Sequence, residues 1–356
     1  MSDDVLFEQI NHWGVITLNR EKSLNALTHP MVVAMRRQLA NWEDDASIAA
    51  VMIGGAGQRA FCAGGDIRWL YDTARQDVSK ATAFFRDEYS LNAAIFNFKK
   101  PYLALIDGIV MGGGVGVSVH GDYRIAGDNT LFAMPETGIG LFPDVGGGYF
   151  MPRLAGGLGL YLALTGARAK AADMIHAKIA THYVPTPKQD ELRSALLAID
   201  LTSAPGLEQT HDEIKNCIEI FQEDIADAPL TEHTAQIDRL FQGHENLEAL
   251  IDALAGQKED FASDTLATLS KMSPTSLRLT FEQMRRGASH SFGDTMKMEF
   301  RIVNKVMRNA DFFEGVRALI IDKDRNPKWS PETLTDIGEG DIAAYFENLG
   351  LEELEV

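Results

Sequence analysis

The sequence predicts an α/β protein, and three observations support that fold class. In the first half of the chain, short apolar runs of strand length alternate with stretches whose apolar residues recur at helical spacing. Glycine-rich segments separate several of these elements, as tight turns and close backbone approaches require. From about residue 186 onward, apolar residues recur only at helical spacing between polar linkers. We therefore expect a mixed core of strands and helices followed by a helical C-terminal region.

Composition excludes several classes of partner. The 356 residues can form one large domain or two smaller ones, and the 45% hydrophobic and 24% charged fractions are those of a soluble globular protein. A formal net charge of −18 argues against nucleic acid or an anionic membrane surface as a general partner. No apolar run reaches the length of a membrane span. A polyanionic small ligand would need a local basic patch against this overall charge.

Cysteine usage and the N-terminal residues bear on location. The chain has two cysteines, Cys62 and Cys217, which are far apart in sequence. They imply neither a disulfide framework nor a metal-ligand spacing, so we expect reduced thiols and no metal site. The first ten residues, MSDDVLFEQI, lack the basic and apolar regions of a signal peptide. These features predict a cytoplasmic location.

The N-terminal elements are predicted in the order hairpin, helix and strand. Val5–Glu8 and Val15–Leu18 are short apolar runs joined by a polar turn, which is typical of a hairpin. Thr28 is a good N-cap for a helix that precedes a third strand at Ala49–Ile53. The predicted buried stripe of that helix comprises Val32, Met35, Leu39 and Trp42.

A glycine-rich segment follows the third strand. Residues 55–60 match the dinucleotide fingerprint G-x-G-x-x-A, but a helix should open there and the chain instead reaches a second glycine pair, Gly64-Gly65. This mismatch argues against a dinucleotide site. Asp66 is better placed as the acid that begins a helix through Trp69 and Leu70.

A second glycine-rich segment follows the buried strand predicted at Tyr102–Ile106. The triplet at residues 112–114 precedes a predicted buried helix at Val115–His120, so the Gly113 N–H is a natural donor to an oxyanion. The Gly65 N–H is a second such donor, and two amides from separate segments make an oxyanion hole for a carbonyl oxygen. The alternative is two tight turns that need glycine for steric reasons.

Three acids are candidates for catalysis or binding. Glu136 and Asp144 lie beside prolines among apolar residues, where loss of solvent raises the pKa of a carboxyl group toward the range of a working acid or base. The alternative is that both are helix-capping or surface-loop acids. Glu88, on a helix predicted over Lys80–Phe98, is expected from its residue type to be solvated.

The C-terminal helices are predicted mainly from caps and stripes. Ser273 is the expected N-cap of a helix with Pro274 in its first turn. Another helix is predicted over Phe292–Met307, with an apolar stripe of Met296, Phe300 and Val303. A stripe of this kind indicates core packing rather than a ligand site.

Several ordered motifs resemble the crotonase (enoyl-CoA hydratase/isomerase) superfamily. The motifs are Asn25–Leu27, Ala60–Ile67 (AFCAGGDI), Asp107–Gly114 (DGIVMGGG) and Met134–Gly140 (MPETGIG). The resemblance covers about residues 5–185. It implies a spiral of ββα turns, with a crotonase-like, acyl-CoA-binding catalytic core over residues 1–185. Residues 186–356 are then a mainly helical region that completes the same fold.

Within that superfamily, two segments resemble its 3-hydroxyisobutyryl-CoA hydrolase subfamily. They are Met134–Arg153 and Asp311–Trp329. This resemblance implies hydrolysis of a short 3-hydroxyacyl-CoA thioester, with 3-hydroxyisobutyryl-CoA of valine breakdown as the expected substrate. Hydratases carry a second catalytic glutamate where this chain has Gly116, which counts against hydration. The alternatives are an enoyl-CoA hydratase/isomerase and a catalytically silent acyl-CoA-binding protein.

The resemblance also implies roles for individual residues. Gly65 and Gly113 supply the oxyanion donors, Glu136 is the catalytic glutamate, and Asp144 is the aspartate of the hydrolase subfamily. Glu88 is a further substrate-contacting acid. The acyl-CoA path is lined by Gly65, Asp66, Ile67 and Arg68. No cofactor is expected beyond the coenzyme A of the substrate, and whether the chain forms a homo-oligomer is left open.

Overall fold

A computed structural model describes residues 3–201 and 206–356 of the chain. It divides into two compact units, each assembled from three chain segments. The first unit comprises the chain up to Gly65, Leu91–Phe132 and Ala169–Pro229. The second unit comprises Asp66–Ser90, Ala133–Arg168 and Leu230–Val356. The division expected between residues 185 and 186 therefore falls inside the third segment of the first unit.

The described residues form short strands and numerous helices. The strands are β1 Val5–Ile10, β2 Trp13–Leu18, β3 Ala50–Gly55, β4 Ala60–Cys62, β5 Tyr102–Ile106, β6 Ile109–Met111, β7 Tyr123–Ala126, β8 Leu131–Ala133, β9 Ala169–Lys170 and β10 His182–Tyr183. The helices up to residue 198 are α1 His29–Asp44, α2 Ile67–Gln76, α3 Val78–Phe96, α4 Gly113–Gly116, α5 Gly147–Phe150, α6 Leu158–Thr165, α7 Ala171–His176 and α8 Thr186–Ala198. The later helices are α9 Leu207–Phe221, α10 Thr234–Phe241, α11 Leu247–Ala255, α12 Asp260–Leu269, α13 Pro274–Gly287, α14 Phe292–Val306, α15 Ala310–Val316 and α16 Glu339–Ala344.

Two sheets confirm the α/β fold class. The larger sheet has the strand order β1-β2-β3-β5-β7-β10, with β1 and β2 antiparallel and the later neighbours parallel. The smaller sheet has the order β4-β6-β8-β9. Strand β3 is buried at each of its first four residues, Ala50 to Ile53, because a central parallel strand is covered on both faces. Parallel strands joined through helices are what the alternating sequence pattern predicted.

Each unit has its own hydrophobic core. In the first unit, side chains of the larger sheet pack with α8 and α9; the group includes Trp13, Val15, Met52, Leu103, Leu192, Leu196, Ile214 and Ile218. In the second unit, the core joins α6 with α10 to α13; it includes Leu164, Leu240, Leu247, Leu250, Leu254, Leu269 and Leu277. Apolar residues predicted at helical spacing after residue 186 are mostly buried, namely Leu192, Leu196, Ile214, Leu247, Leu250 and Leu254, whereas Ile199, Cys217 and Phe221 are partly buried.

Most predicted element boundaries agree with the structure to within a few residues. The hairpin, α1 and its buried stripe, and the first four residues of β3 match the sequence-based expectation. Ser273 caps α13 by accepting a hydrogen bond from the Ser276 N–H at 3.0 Å. No helix in the described ranges is both long and apolar enough to traverse a bilayer.

The helix predicted at Val115–His120 is wrong. The structure has a single helical turn, α4, at Gly113–Gly116, and turns follow it as far as Gly121. Glycine is a poor helix former, and α4 has three glycines among its four residues, so nothing there favours a longer helix. The Ser118 hydroxyl also donates to the Gly114 carbonyl oxygen at 2.8 Å.

Candidate active site

Two glycine segments of the first unit come together at one edge of the smaller sheet. Strands β4 and β6 pair in parallel, with Cys62 opposite Val110. The backbone therefore leaves the two strands at the same edge of the sheet. A methyl group added at Gly64 would lie 3.6 Å from the Gly113 nitrogen. The predicted donors Gly65 and Gly113 thus belong to neighbouring segments. We call them the amide pair; their role in binding an oxyanion stays a prediction.

Close packing explains why the triplet at residues 112–114 includes a glycine at position 114. A Cβ at Gly114 would overlap the Cys62 carbonyl oxygen, so only glycine lets α4 approach β4 this closely. Gly112 has a positive φ of 46° and precedes the helix. Because α4 has only four residues, its dipole is small. The predicted donor at Gly113 is therefore a single backbone N–H group, to which the helix dipole adds little.

The residues expected to line the acyl-CoA path are Gly65, which ends the first segment of the first unit, and Asp66, Ile67 and Arg68 at the start of α2. Asp66 caps this helix, and its Oδ1 accepts a hydrogen bond from the Trp69 N–H at 3.2 Å. Ile67 is half-buried and Arg68 is exposed. The Asp66 side chain therefore serves the helix, as predicted, while backbone contacts of these residues with a ligand stay a prediction.

Four buried carboxyl groups of the second unit form what we call the carboxyl cluster. Its members are Glu88, Glu136, Asp144 and Glu299, with relative exposures of 2, 5, 4 and 0%. They influence one another electrostatically, since Asp144 raises the pKa of each of the three glutamates. Burying several acids together costs free energy, because each carboxyl group loses its hydration. Groups of buried acids with shifted pKa values are typical of functional sites.

Glu136 begins a short 3₁₀ helix, Glu136–Ile139, just after β8. Its Oε2 is buried and has no hydrogen-bond partner among the described residues. Burial is the main cause that raises the pKa of Glu136, followed by the charges of Asp144 and Glu299, while its own backbone N–H opposes the rise. The predicted loss of solvent is confirmed, and the capping and surface-loop alternatives are wrong for Glu136.

Asp144 lies between Pro143 and Val145, and it is held by a tyrosine that the sequence did not single out. The Tyr89 hydroxyl donates to Asp144 Oδ2 at 2.8 Å, and both side chains are buried. Burial raises the pKa of Asp144 to about 7, and the Tyr89 hydrogen bond opposes that rise. A carboxyl group with this pKa can exchange a proton near neutral pH.

Glu88 is buried, so the expectation of a solvated acid is wrong. It lies on α3 one turn after Phe84 and one turn before Leu91, both of which are buried. Its Oε1 has no hydrogen-bond partner in the described part of the chain. Burial, then the charges of Asp144 and Glu136, raise the pKa of Glu88 well above its usual range. These surroundings agree with the substrate-contacting acid that the family resemblance implies.

Glu299 was missed by sequence reasoning. Its carboxylate accepts hydrogen bonds from the Gly146 N–H at 2.8 Å, the Gly148 N–H at 2.9 Å and Gln283 Nε2 at 3.0 Å. Burial raises the pKa of Glu299 to about 8 despite these three donors, which lower it. A signal was available, because Glu299 stands three residues after Met296 on the predicted apolar stripe of α14.

The two groups suit different chemical tasks. Fixed backbone amides stabilise charge that develops on a carbonyl oxygen, and buried carboxyl groups act as a nucleophile, acid or base near neutral pH. Across residues 3–201 and 206–356, no group of three or more His, Cys, Asp or Glu side chains is arranged to hold a metal ion. Together, the fold and these groups define a crotonase-type protein.

Comparison with known proteins agrees with that class. The chain belongs to the enoyl-CoA hydratase/isomerase family, which it matches over residues 13–346. It is 50% identical over 345 residues to the mitochondrial 3-hydroxyisobutyryl-CoA hydrolase of Xenopus tropicalis, covering 96% of this chain and 88% of the relative. It is 47% identical over 358 residues to the Danio rerio protein of the same name, covering 99% and 92%. A crystal structure titled carnitinyl-CoA dehydratase, from Mycobacterium thermoresistibile, superposes with a TM-score of 0.91 at 40% identity and covers 99% of both chains.

These comparisons confirm the resemblance and the crotonase fold, and they correct the expected location. The cytoplasmic location is wrong, because both relatives are named as mitochondrial proteins. Two isolated cysteines exclude a disulfide framework, but they do not distinguish one reducing compartment from another.

Proposed function

We propose that this protein hydrolyses 3-hydroxyisobutyryl-CoA to 3-hydroxyisobutyrate and coenzyme A, as a step of valine breakdown. The observation that carries the proposal is the identity of 50% and 47%, over nearly the whole chain, to two relatives named for that reaction. The buried carboxyl groups at Glu136 and Asp144 support it, since thioester hydrolysis needs a nucleophile or base that works near neutral pH. No resident cofactor takes part in the proposed reaction.

The amide pair stabilises the charge that forms on the thioester carbonyl oxygen. In the proposed reaction, the N–H groups of Gly65 and Gly113 donate to that oxygen as the carbonyl carbon becomes tetrahedral. Residues Gly65 to Arg68 line the acyl-CoA path, and Glu88 contacts the substrate. The C–S bond then breaks, and the thiolate of coenzyme A takes a proton as it leaves.

Two routes lead to the tetrahedral carbon, and both use Glu136. In the first, a Glu136 carboxylate oxygen attacks the carbonyl carbon and gives an anhydride, which water then hydrolyses. In the second, Glu136 takes a proton from a water molecule that attacks directly. Asp144 orients the substrate hydroxyl or assists the proton transfers. After a single turnover in ¹⁸O-labelled water, label in the Glu136 carboxylate would show the anhydride route with water attacking the Glu136 carbon, whereas the direct route places label only in the product acid.

A thiol-release assay over a panel of short acyl-CoA thioesters tests the proposed function. We expect free coenzyme A from 3-hydroxyisobutyryl-CoA at a higher kcat/KM than from the unsubstituted isobutyryl thioester. An absence of free thiol with every thioester would contradict the proposal. Binding of the thioesters without turnover would instead indicate the silent acyl-CoA-binding protein.

The second candidate function is an enoyl-CoA hydratase or isomerase. The family description and the dehydratase named in the superposed structure favour it. Gly116 stands against it, because the family resemblance implies that hydratases carry a second glutamate at that position. Loss of the absorbance of crotonyl-CoA, with no free thiol from any thioester of the panel, would support hydration over hydrolysis.

A further inference from the structure

The backbone that follows Asp144 is held by one buried carboxylate. The N–H groups of Gly146 and Gly148 donate to different oxygens of Glu299, at 2.8 and 2.9 Å. Glu299 itself has no exposed surface and lies on α14, a helix of 15 residues whose neighbouring side chains are buried. A side chain fixed in this way holds the loop backbone at a set distance from α14.

The backbone that precedes Asp144 is held by a second side chain that also contacts the first. Gln283, on α13, donates from Nε2 to the Pro143 carbonyl oxygen at 2.7 Å and to Glu299 Oε1 at 3.0 Å. Gln283 is fully buried as well. Gln283 and Glu299 therefore form one connected unit, the 283–299 clamp, which grips the loop on both sides of Asp144.

The loop needs such support because its backbone is strained. Val145 has a φ of +50°, a region that β-branched residues rarely adopt, and Gly146 follows with a φ of +89°. A strained backbone persists only where its surroundings hold it, and such positions cluster at functional sites. The 283–299 clamp makes three hydrogen bonds to this loop, with the backbone of Pro143, Gly146 and Gly148.

We propose that Glu299, together with Gln283, is a positioning residue that fixes Asp144 for catalysis. This inference rests on the proposed thioester hydrolysis and adds a part of its machinery that touches no substrate. A buried carboxylate is costly to retain, and a purely apolar residue at this position of α14 would pack without that cost. Glu299 is retained, in this proposal, because only an acceptor with two oxygens can satisfy both glycine N–H groups.

The variant Glu299→Gln tests the clamp with little change of shape. Its amide nitrogen faces one of the two glycine N–H groups as a second donor, so one loop contact is lost. We expect kcat to fall by roughly 10- to 100-fold and KM to change by about threefold at most, because a displaced catalytic group weakens the chemical step more than binding. The matched control is Glu282→Gln, on α13, whose carboxylate pairs with Arg285 and Arg286 instead of this loop.

A merely structural role predicts a different result. Glu299→Gln would then unfold at a lower temperature than the wild type, yet its folded fraction would retain the wild-type kcat. A kcat within about twofold of wild type, measured per folded molecule, overturns the proposal. If Glu299→Gln does not fold, the variant Gln283→Leu replaces it in the test, because this substitution removes the hydrogen bond to Pro143 and leaves the Glu299 carboxylate in place. An unchanged kcat in Gln283→Leu also overturns the proposal.

Hydrogen exchange separates failure of the clamp from failure of the proposed function. Mass spectrometry of the peptide covering residues 143–150 should show faster amide exchange in Glu299→Gln than in wild type and Glu282→Gln. Equal exchange rates in all three proteins overturn the clamp whether or not the protein cleaves a thioester. Faster exchange in Glu299→Gln, when the wild-type protein itself releases no thiol, would support the clamp and contradict the proposed function.

Discussion

The amide pair and the carboxyl cluster are two candidate reactive groups built in different ways. The amide pair uses only backbone atoms, and the parallel pairing of β4 with β6 sets its position in the first unit. The carboxyl cluster uses only side chains, and in the second unit it draws them from α3, from the loops after β8 and from α14. One is fixed by strand register, and the other by the packing of distant segments.

This difference separates two contributions to catalysis. Backbone amides carry fixed partial charges that do not titrate, so the amide pair offers the same electrostatic stabilisation across the working pH range. The carboxyl groups have pKa values raised by burial, so the pH dependence of activity should belong to the cluster. Variants of each group can therefore be told apart by whether they change the shape of the pH profile.

The largest effect is expected from Glu136→Gln. The amide neither attacks a carbonyl nor accepts a proton, so thioester turnover should fall by roughly 10³-fold or more while the affinity for the coenzyme A ester persists. Thiol release measures the first quantity, and calorimetry with a non-hydrolysable ester analogue measures the second. Hydrolysis near the wild-type rate would remove Glu136 from the mechanism, and Glu282→Gln controls for the loss of a charge elsewhere.

The amide pair is tested by comparing two substitutions at Gly113. Proline removes the N–H but suits the first position of a helix, which Gly113 occupies in α4, whereas alanine adds a Cβ and retains the N–H. We expect Gly113→Pro to lower kcat by roughly 10²- to 10³-fold, and Gly113→Ala to lose much less. The pH profile of Gly113→Pro should keep its wild-type shape. Equal losses in both variants would mean that steric room matters at residue 113, rather than the donor.

The sequence predicts the amide pair better than the carboxyl cluster for a physical reason. Gly65 and Gly113 belong to local motifs, and glycine in a short segment after a strand signals a special backbone wherever it occurs. Glu136 and Asp144 are likewise marked by adjacent prolines and glycines. The family resemblance then orders these motifs, so much of the fold could be inferred before any coordinates.

Neither the other two members of the cluster, Glu88 and Glu299, nor Tyr89 has a proline or glycine beside it to mark a special position. Tyr89 and Glu299 are 55 and 155 residues away from Asp144 in sequence, and only the packed structure shows their hydrogen bonds and charges to that loop. Base rates for glutamate favour exposure, which misled the expectation for Glu88. A polar residue inside an apolar stripe, as Glu299 is on α14, is the one pattern that indicates a buried acid without coordinates.

A smaller effect is expected from Tyr89→Phe, which removes one hydrogen bond from Asp144. That bond lowers the pKa of Asp144, so its loss should raise the pKa and move the acid limb of the kcat/KM profile to higher pH. At pH 7 the rate should fall roughly two- to tenfold, and it should recover at higher pH. The control is Tyr161→Phe on α6, and an acid limb that stays in place would show that Asp144 does not need to be ionised.

The last prediction concerns stability, which Asp144→Asn tests separately from the loss of rate expected when a proposed catalytic group is removed. Burial raises the pKa of Asp144 from 3.8 to about 7, so between these values the folded protein binds more protons than the unfolded chain and loses stability as the pH rises. Asparagine does not titrate, so the variant does not lose this stability. The free energy of unfolding of the variant minus that of the wild type should therefore increase by about 1–3 kcal/mol between pH 4 and pH 8. Urea unfolding at several pH values measures this difference.

The control for that measurement titrates outside its pH range. Asp45 is exposed, and its hydrogen bonds with Ser47 lower its pKa below 3.8, so Asp45→Asn should lose stability relative to wild type only as the pH rises from that lowered value to 3.8. A gain in stability of Asp144→Asn between pH 4 and pH 8, where Asp45→Asn shows no trend, would tie the pH dependence to burial in the cluster rather than to the net charge of −18. The absence of a trend in both variants would mean that Asp144 ionises with an ordinary pKa, and Asp144 would then add nothing to the pH dependence near neutral pH, just as the amide pair adds nothing.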